Sequence, residues 1–208
     1  MNIRKREILI IIITFLTCYN GFSQIKRENQ CLSKASVHLG LGFSYYNLGK
    51  LTNDYISNPI GPSFNVNFSI NKFIMIYSVN LSSSTVISEK VLIDTIELNK
   101  NDKFKFLTIS ASFGYNYRPN NWLQINPFVG IIYSDILIKE NQKNPTIVGL
   151  TSGINTQLIL NPDNVKGNFI YVFFTTRLNW KSFKEINPDF NNITFCPEIG
   201  IAYRFISR

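Results

Sequence analysis

The chain carries few residues with the chemistry of a reactive site, and their spacing limits what they can do. His38 is the only histidine. With no second histidine and no acidic cluster beside it, it lacks the donor set that holds a transition metal. A nucleophile or general base needs a partner within hydrogen-bond reach, and the sequence around His38 supplies no acid. His38 is therefore read as a structural histidine facing a polar interior. Three further charged residues, Arg177, Glu198 and Arg204, interrupt otherwise uncharged segments. Arg177 and Glu198 fall on consecutive segments at similar depth, which predicts an interior ion pair. Together with Arg204 and His38 they form an expected interior polar network. Cys31 and Cys196 lie far apart in the predicted topology, and a disulfide needs Cα atoms within about 7 Å. Both are expected as free thiols. No cofactor is implied.

The elements that must hold these residues alternate. Val37, Leu39, Leu41, Phe43 and Tyr45 share one face, and Ser36, His38, Gly40, Gly42 and Ser44 share the other. Such strict alternation separates two faces in a strand, whereas a helix would spread both sets around its circumference. A second run sets Phe64, Val66, Phe68 and Ile70 against Ser63, Asn65, Asn67 and Ser69. A tight turn at Asn71-Lys72 leads to a third run, Phe73 to Leu81, whose second face begins apolar at Ile74 and Ile76. The fourth run places Leu107, Ile109, Ala111, Phe113, Tyr115 and Tyr117 against Thr108, Ser110, Ser112, Gly114 and Asn116. Phe104 and Phe106 fall out of that register, so a β-bulge is expected near them. The fifth run, from Leu123, is interrupted by Pro127, which cannot donate to a ladder. The sixth, seventh and eighth start near Val148, Phe169 and Thr194. The seventh has an aromatic second face of Phe169, Tyr171 and Phe173, which argues for a filled interior.

Eight such runs predict an all-β fold, an eight-stranded antiparallel transmembrane β-barrel with an up-and-down meander. Lipid offers no partner to backbone N–H and C=O groups, so a sheet inside it must close on itself. Outer-membrane barrels have short periplasmic turns and longer outer loops. Here the expected turns are Asn71-Lys72, 118–121 and 161–167, each shorter than every expected outer loop (47–62, 83–103, 136–145 and 181–192). Aromatic side chains are expected in two bands at the interfaces. Phe73, Tyr115, Tyr117, Trp122, Tyr203 and Phe205 form one, and Tyr45, Phe64, Phe106, Tyr133, Trp180 and Phe195 the other. In the loop 83–103, alternation around Val91 to Ile96 predicts that the third and fourth strands continue above the membrane as a protruding hairpin.

The N-terminus reads as an export signal. Arg4, Lys5 and Arg6 precede an apolar run from Ile8 to Leu16, and Gly21 and Ser23 put cleavage before Gln24. A lipoprotein signal ending at Cys18 is the competing reading, with Phe15-Leu16-Thr17 a poor match to it. The expected organisation is a signal peptide at 1–23, a periplasmic segment at 24–35 and a barrel domain at 36–208. Composition agrees. Of 208 residues, 45% are hydrophobic and only 16% charged, below the roughly 25% usual in soluble domains. The net charge of +8 comes without the clustered basic face that nucleic-acid binding requires. Lys50, Lys90, Lys100, Lys139, Lys143, Lys181 and Lys184 fall instead in expected loops, where the cations either meet lipid phosphates at the membrane surface or are simply solvated.

Four stretches carry a family resemblance: His38-Leu39-Gly40-Leu41-Gly42, Gly61 to Phe68, Asn126-Pro127-Phe128-Val129-Gly130, and Glu198 to Phe205. In alternation and glycine placement the mature chain resembles the outer-membrane β-barrel domain proteins common in Bacteroidetes and, more distantly, small OmpX- and OmpA-type barrels. One departure is that Ile206-Ser207-Arg208 follows Phe205, where such barrels often end on an aromatic residue. The resemblance implies a monomeric barrel in the outer membrane of a Gram-negative bacterium, in contact with outer-membrane lipid and lipopolysaccharide. Some barrels of this size are lipid A acylhydrolases or acyltransferases that use a His with a Ser and an acid near the outer leaflet. His38 falls at the opposite end, so no enzymatic activity is expected. The functional expectation is a structural or surface-binding barrel, with a protein partner met at the outer loops and no open pore. A narrow channel or hydrophobic-ligand carrier and a lipid A-modifying enzyme are the alternatives. A soluble lipocalin-like barrel, with its apolar residues turned inward, is the rival on fold.

Overall fold

The computed structural model describes residues 35–138, 144–161 and 168–206. The expected signal peptide, the segment before Ala35, Cys31, Lys139, Lys143, most of the turn 161–167 and the last two residues lie outside them.

Eight strands close into one antiparallel barrel: β1 (Ala35–Tyr45), β2 (Ile60–Ile70), β3 (Phe73–Thr85), β6 (Lys103–Tyr115), β7 (Leu123–Leu137), β8 (Thr146–Ile159), β9 (Phe169–Lys181) and β10 (Ile193–Ile206). Two short strands, β4 (Lys90–Ile93) and β5 (Ile96–Asn99), form a separate hairpin. Around the barrel each strand pairs with its sequence neighbour, apart from β3 with β6 where the hairpin intervenes, and β1 with β10 closes the ring. No edge remains, which satisfies the backbone without solvent.

The faces are inverted relative to a soluble protein. Leu41, Phe43, Val129, Ile131, Leu150, Ile199 and Ile201 point out and are exposed, while Ser44, Ser78, Asn80, Asn126, Gln157, Arg177 and Glu198 point in and are buried. The lipocalin-like alternative fails on this inversion.

Small residues make the interior packing feasible. Phe173 lies against a floor of glycines on β1 and β10, where a Cβ added at Gly40, Gly42 or Gly200 would approach its ring to 3.1 Å, 3.1 Å and 2.5 Å. Ile74, Ile76 and Phe128 form a second interior apolar cluster. Asn71, in the left-handed region at φ 55°, makes the tight turn between β2 and β3, a conformation that Asn tolerates better than most residues.

Three expectations need correction. There is no bulge at Phe104 and Phe106: β6 stays in register with β3 through Phe106↔Ser82 and Phe104↔Ser84. Both rings point inward and are buried, so Phe106 does not belong to the aromatic band, whereas Tyr45, Phe64, Trp180 and Phe195 stay exposed. The rings meet an apolar plug instead of a polar lumen. Second, the connection 160–168 is longer than 138–145, though shorter than the other three outer connections, so the expected turn–loop contrast fails at that one comparison. Third, β3 and β6 do extend, to Thr85↔Lys103, but the hairpin above them is not their continuation. Pro127 acts as anticipated: the β6–β7 ladder stops at Gly114↔Phe128 and resumes at the bridge Tyr117↔Ile125.

Candidate functional site

Three layers occupy the barrel from one end to the other. Midway lies a charged hub. Arg177 on β9 and Glu198 on β10 form an ion pair of 2.6 Å (Nη1 to Oε2), with both side chains almost wholly buried. The other Glu198 oxygen, Oε1, accepts from Ser63 Oγ at 2.5 Å and Asn65 Nδ2 at 2.6 Å, both on β2. Those bonds pass over β1 at Gly42, which stands in register with Gly200 and Ser63. A side chain there would meet the Ile199 carbonyl at 2.6 Å. Arg177 Nη2 donates to Ser78 Oγ on β3 at 2.7 Å, and Ser78 in turn donates to Asn65. In the strand order β9 and β3 stand four places apart in a ring of eight, so this bond spans the lumen. Charge-assisted bonds of this kind are the stronger ones, and in a low-dielectric interior they hold the facing walls together.

Sequence reasoning reached Arg177 and Glu198 but missed Ser63, Asn65 and Ser78. Those three were legible as inward-facing; their convergence was not, because the distance across a barrel depends on the stagger of its strands. The hub also does not extend to the other two candidates. His38 and Arg204 are register partners, but they sit toward the end that bears the Asn71-Lys72 turn. There His38 Nδ1 lies 2.9 Å from the Tyr171 hydroxyl, its Nε2 lies 3.0 Å from Ser36 Oγ, and Ser69 Oγ completes the group. The Arg204 guanidinium stands 5.0 Å from the Phe169 ring centre. Among the described residues the partners of His38 are hydroxyl groups.

At the long-loop end the lumen turns apolar. Phe104, Phe106, Ile136 and Ile147 from strand ends pack with Tyr46, Leu48 and Ile56 of the first loop, Val91, Ile93 and Leu98 of the hairpin, and Phe183, Ile186 and Phe190 of the last loop. Cys196, a free thiol, is buried among them. Lys181 is buried here too, donating to Ser134 Oγ at 2.8 Å with its ammonium 5.4 Å and 5.5 Å from the ring centres of Tyr46 and Phe183. It was expected in a solvated loop; instead it points inward from the last residue of β9, where the aromatic faces stabilise its charge.

The loops above the plug are tied to one another. Asp94 N donates to the Ile186 carbonyl and Ile87 N to the Tyr55 carbonyl. Asn191 binds Leu48 and Thr52, and Asn187 Nδ2 donates to the Leu92 carbonyl. Tyr55 donates to Asp189, whose carboxylate raises the phenol pKa. The Lys90–Glu97 ion pair of 2.6 Å is exposed on both sides, and Glu97 raises the Lys90 pKa.

β4 carries the contact to Asn187, whereas β5 pairs only with β4. In a two-residue hairpin, alternate pairs turn their N–H and C=O groups outward. With Ile93↔Ile96 flanking the turn, Glu97 and Asn99 turn their backbone groups away from β4, and those of Asn99 are taken up by Asp102, so Glu97 is left. It finds no backbone partner among the described residues.

No family model matches the chain, and no curated protein does. Solved structures do. The chain is similar to the outer membrane protein OprG of Pseudomonas aeruginosa, at 12% identity and a TM-score of 0.53 over 86% of this chain and 99% of that one. It is also similar to Ail, the attachment invasion locus protein of Yersinia pestis, in its complex with the heparin analogue sucrose octasulfate. There the identity is 15% and the TM-score 0.51, over 84% of this chain and all of that one. At such identities the likeness is one of fold, a closed antiparallel barrel of the outer-membrane type.

Proposed function

We propose that the chain is an integral barrel of a Gram-negative outer membrane, closed to permeation, whose tied outer loops present the β5 edge to a protein partner at the cell surface. The observation that carries the membrane assignment is the inversion itself. A continuous exterior of Leu, Ile, Val and Phe is stable in hydrocarbon and would aggregate in water. The end with the Asn71-Lys72 turn then faces the periplasm and the loop cap faces outward. Closure to permeation is supported by the stacked fillings of the lumen, the Arg177–Glu198 hub below and the apolar plug above. A barrel of eight strands has an interior only wide enough for side chains. These features disfavour the narrow-channel and carrier readings.

Partner binding at the hairpin is supported by the unpaired β5 edge beside exposed Leu92. An extended segment of another chain can add to such an edge through main-chain hydrogen bonds. Glu97→Pro removes the outward N–H while leaving the β4–β5 ladder intact, since proline is tolerated on a strand edge. Cross-linking on intact cells through a photoreactive side chain at Leu92 should capture a discrete partner in the parent protein and lose it in the Glu97→Pro variant. Equal capture by both would remove the edge as the site; no capture by either would leave a structural barrel.

A further inference from the structure

We infer that the short-turn mouth of the barrel is an oxyanion site, in which Arg118 and Arg204 over the ring of Phe169 bind a phosphate group. Arg204 points inward from β10 and is the register partner of Phe169 on β9. Arg118 comes from the turn between β6 and β7, on another side of the mouth. Their guanidinium carbons stand 5.0 Å and 5.7 Å from the centre of the same buried ring, within the reach of cation–π attraction. They are close enough for the charge of Arg118 to act on Arg204. Among the described residues neither forms an ion pair with a carboxylate; the ion pairs there are Lys90–Glu97 and Arg177–Glu198.

Arg118 is held by its own turn, donating from Nε and Nη2 to the carbonyls of Asn120 and Asn121. The Nε of Arg204 is buried and donates to no acceptor among the described residues. Unpaired buried donors on charged groups are costly. A phosphate accepts from guanidinium N–H groups and would offset the mutual repulsion of the two cations, drawing on the donors of Arg118 not used by its turn and on those of Arg204. A free phosphate and a lipid headgroup share this chemistry.

The test uses the folded barrel in uncharged maltoside micelles, with thermal unfolding read by gel mobility. Inorganic phosphate should raise the unfolding midpoint above that in sodium chloride of equal ionic strength, and Arg118→Gln and Arg204→Gln should each abolish the rise. Arg204→Lys, which keeps the charge but loses the guanidinium fork, should also lose most of the rise and serves where Arg204→Gln fails to fold; a full rise in Arg204→Lys overturns the inference. In phosphatidylglycerol bilayers, added phosphate should give no further rise if a headgroup fills the site, and the full rise if the occupant is a free anion. The absence of a phosphate-specific rise in the parent protein in micelles, or the same rise in both Gln variants, overturns the inference.

Discussion

Glu198 is the residue on which most of the interior depends. It accepts from β2 and pairs with β9, so Glu198→Gln keeps the shape while leaving the Arg177 charge buried without a counter-ion. Breaking one partner of a buried pair typically costs about 3–5 kcal/mol. The variant should therefore unfold at clearly lower urea concentration in micelles, and an unchanged midpoint would remove the hub from the account. Replacing both partners with apolar residues of similar volume is often neutral, so Arg177→Met with Glu198→Leu should recover much of the loss. At this scale the sequence was legible where a charge broke an uncharged alternation, as at Arg177, Glu198 and Arg204. It was opaque for Lys181, whose position at the last residue of β9 reads equally as loop or lumen, and for Arg118, whose target Phe169 is distant in sequence.

Strand alternation was the most readable feature, because each face meets a different medium and a one-residue slip would exchange them. It misled in the hairpin, which is not the continuation of β3 and β6, and where the medium changes. Above the polar lumen the inward positions become apolar, so Phe104 and Phe106 looked displaced although they keep register with β3. Interior glycines are the other determinant at this scale. A Cβ at Gly200 would lie 2.3 Å from the Leu41 carbonyl and 2.5 Å from Phe173. Overpacking of this kind typically costs about 1–3 kcal/mol. Gly200→Ala should lower stability by an amount in that range, measured by urea unfolding in micelles. Phe173→Leu alone should be milder, and a neutral Gly200→Ala would contradict the tight contact between β1, β10 and the Phe173 ring.

At the scale of the whole molecule the barrel couples a lipid-facing wall to a loop cap with an apolar core of its own. The cap could not be read from sequence, since the loops that build it are separated by long stretches of barrel and only the closed ring brings them together. If the plug holds the cap, Phe106→Ser should expose the outer loops to protease while the heat-shifted gel mobility of the barrel is kept. Uniform resistance would place the ordering of the loops in their hydrogen bonds instead. The central claim, that the apolar face meets lipid and the polar face is enclosed, is tested most directly by membrane fractionation combined with gel mobility of boiled and unboiled protein in detergent. The account predicts recovery with the outer membrane and a mobility that changes on boiling. A protein that stays soluble without detergent and migrates identically before and after boiling would contradict it.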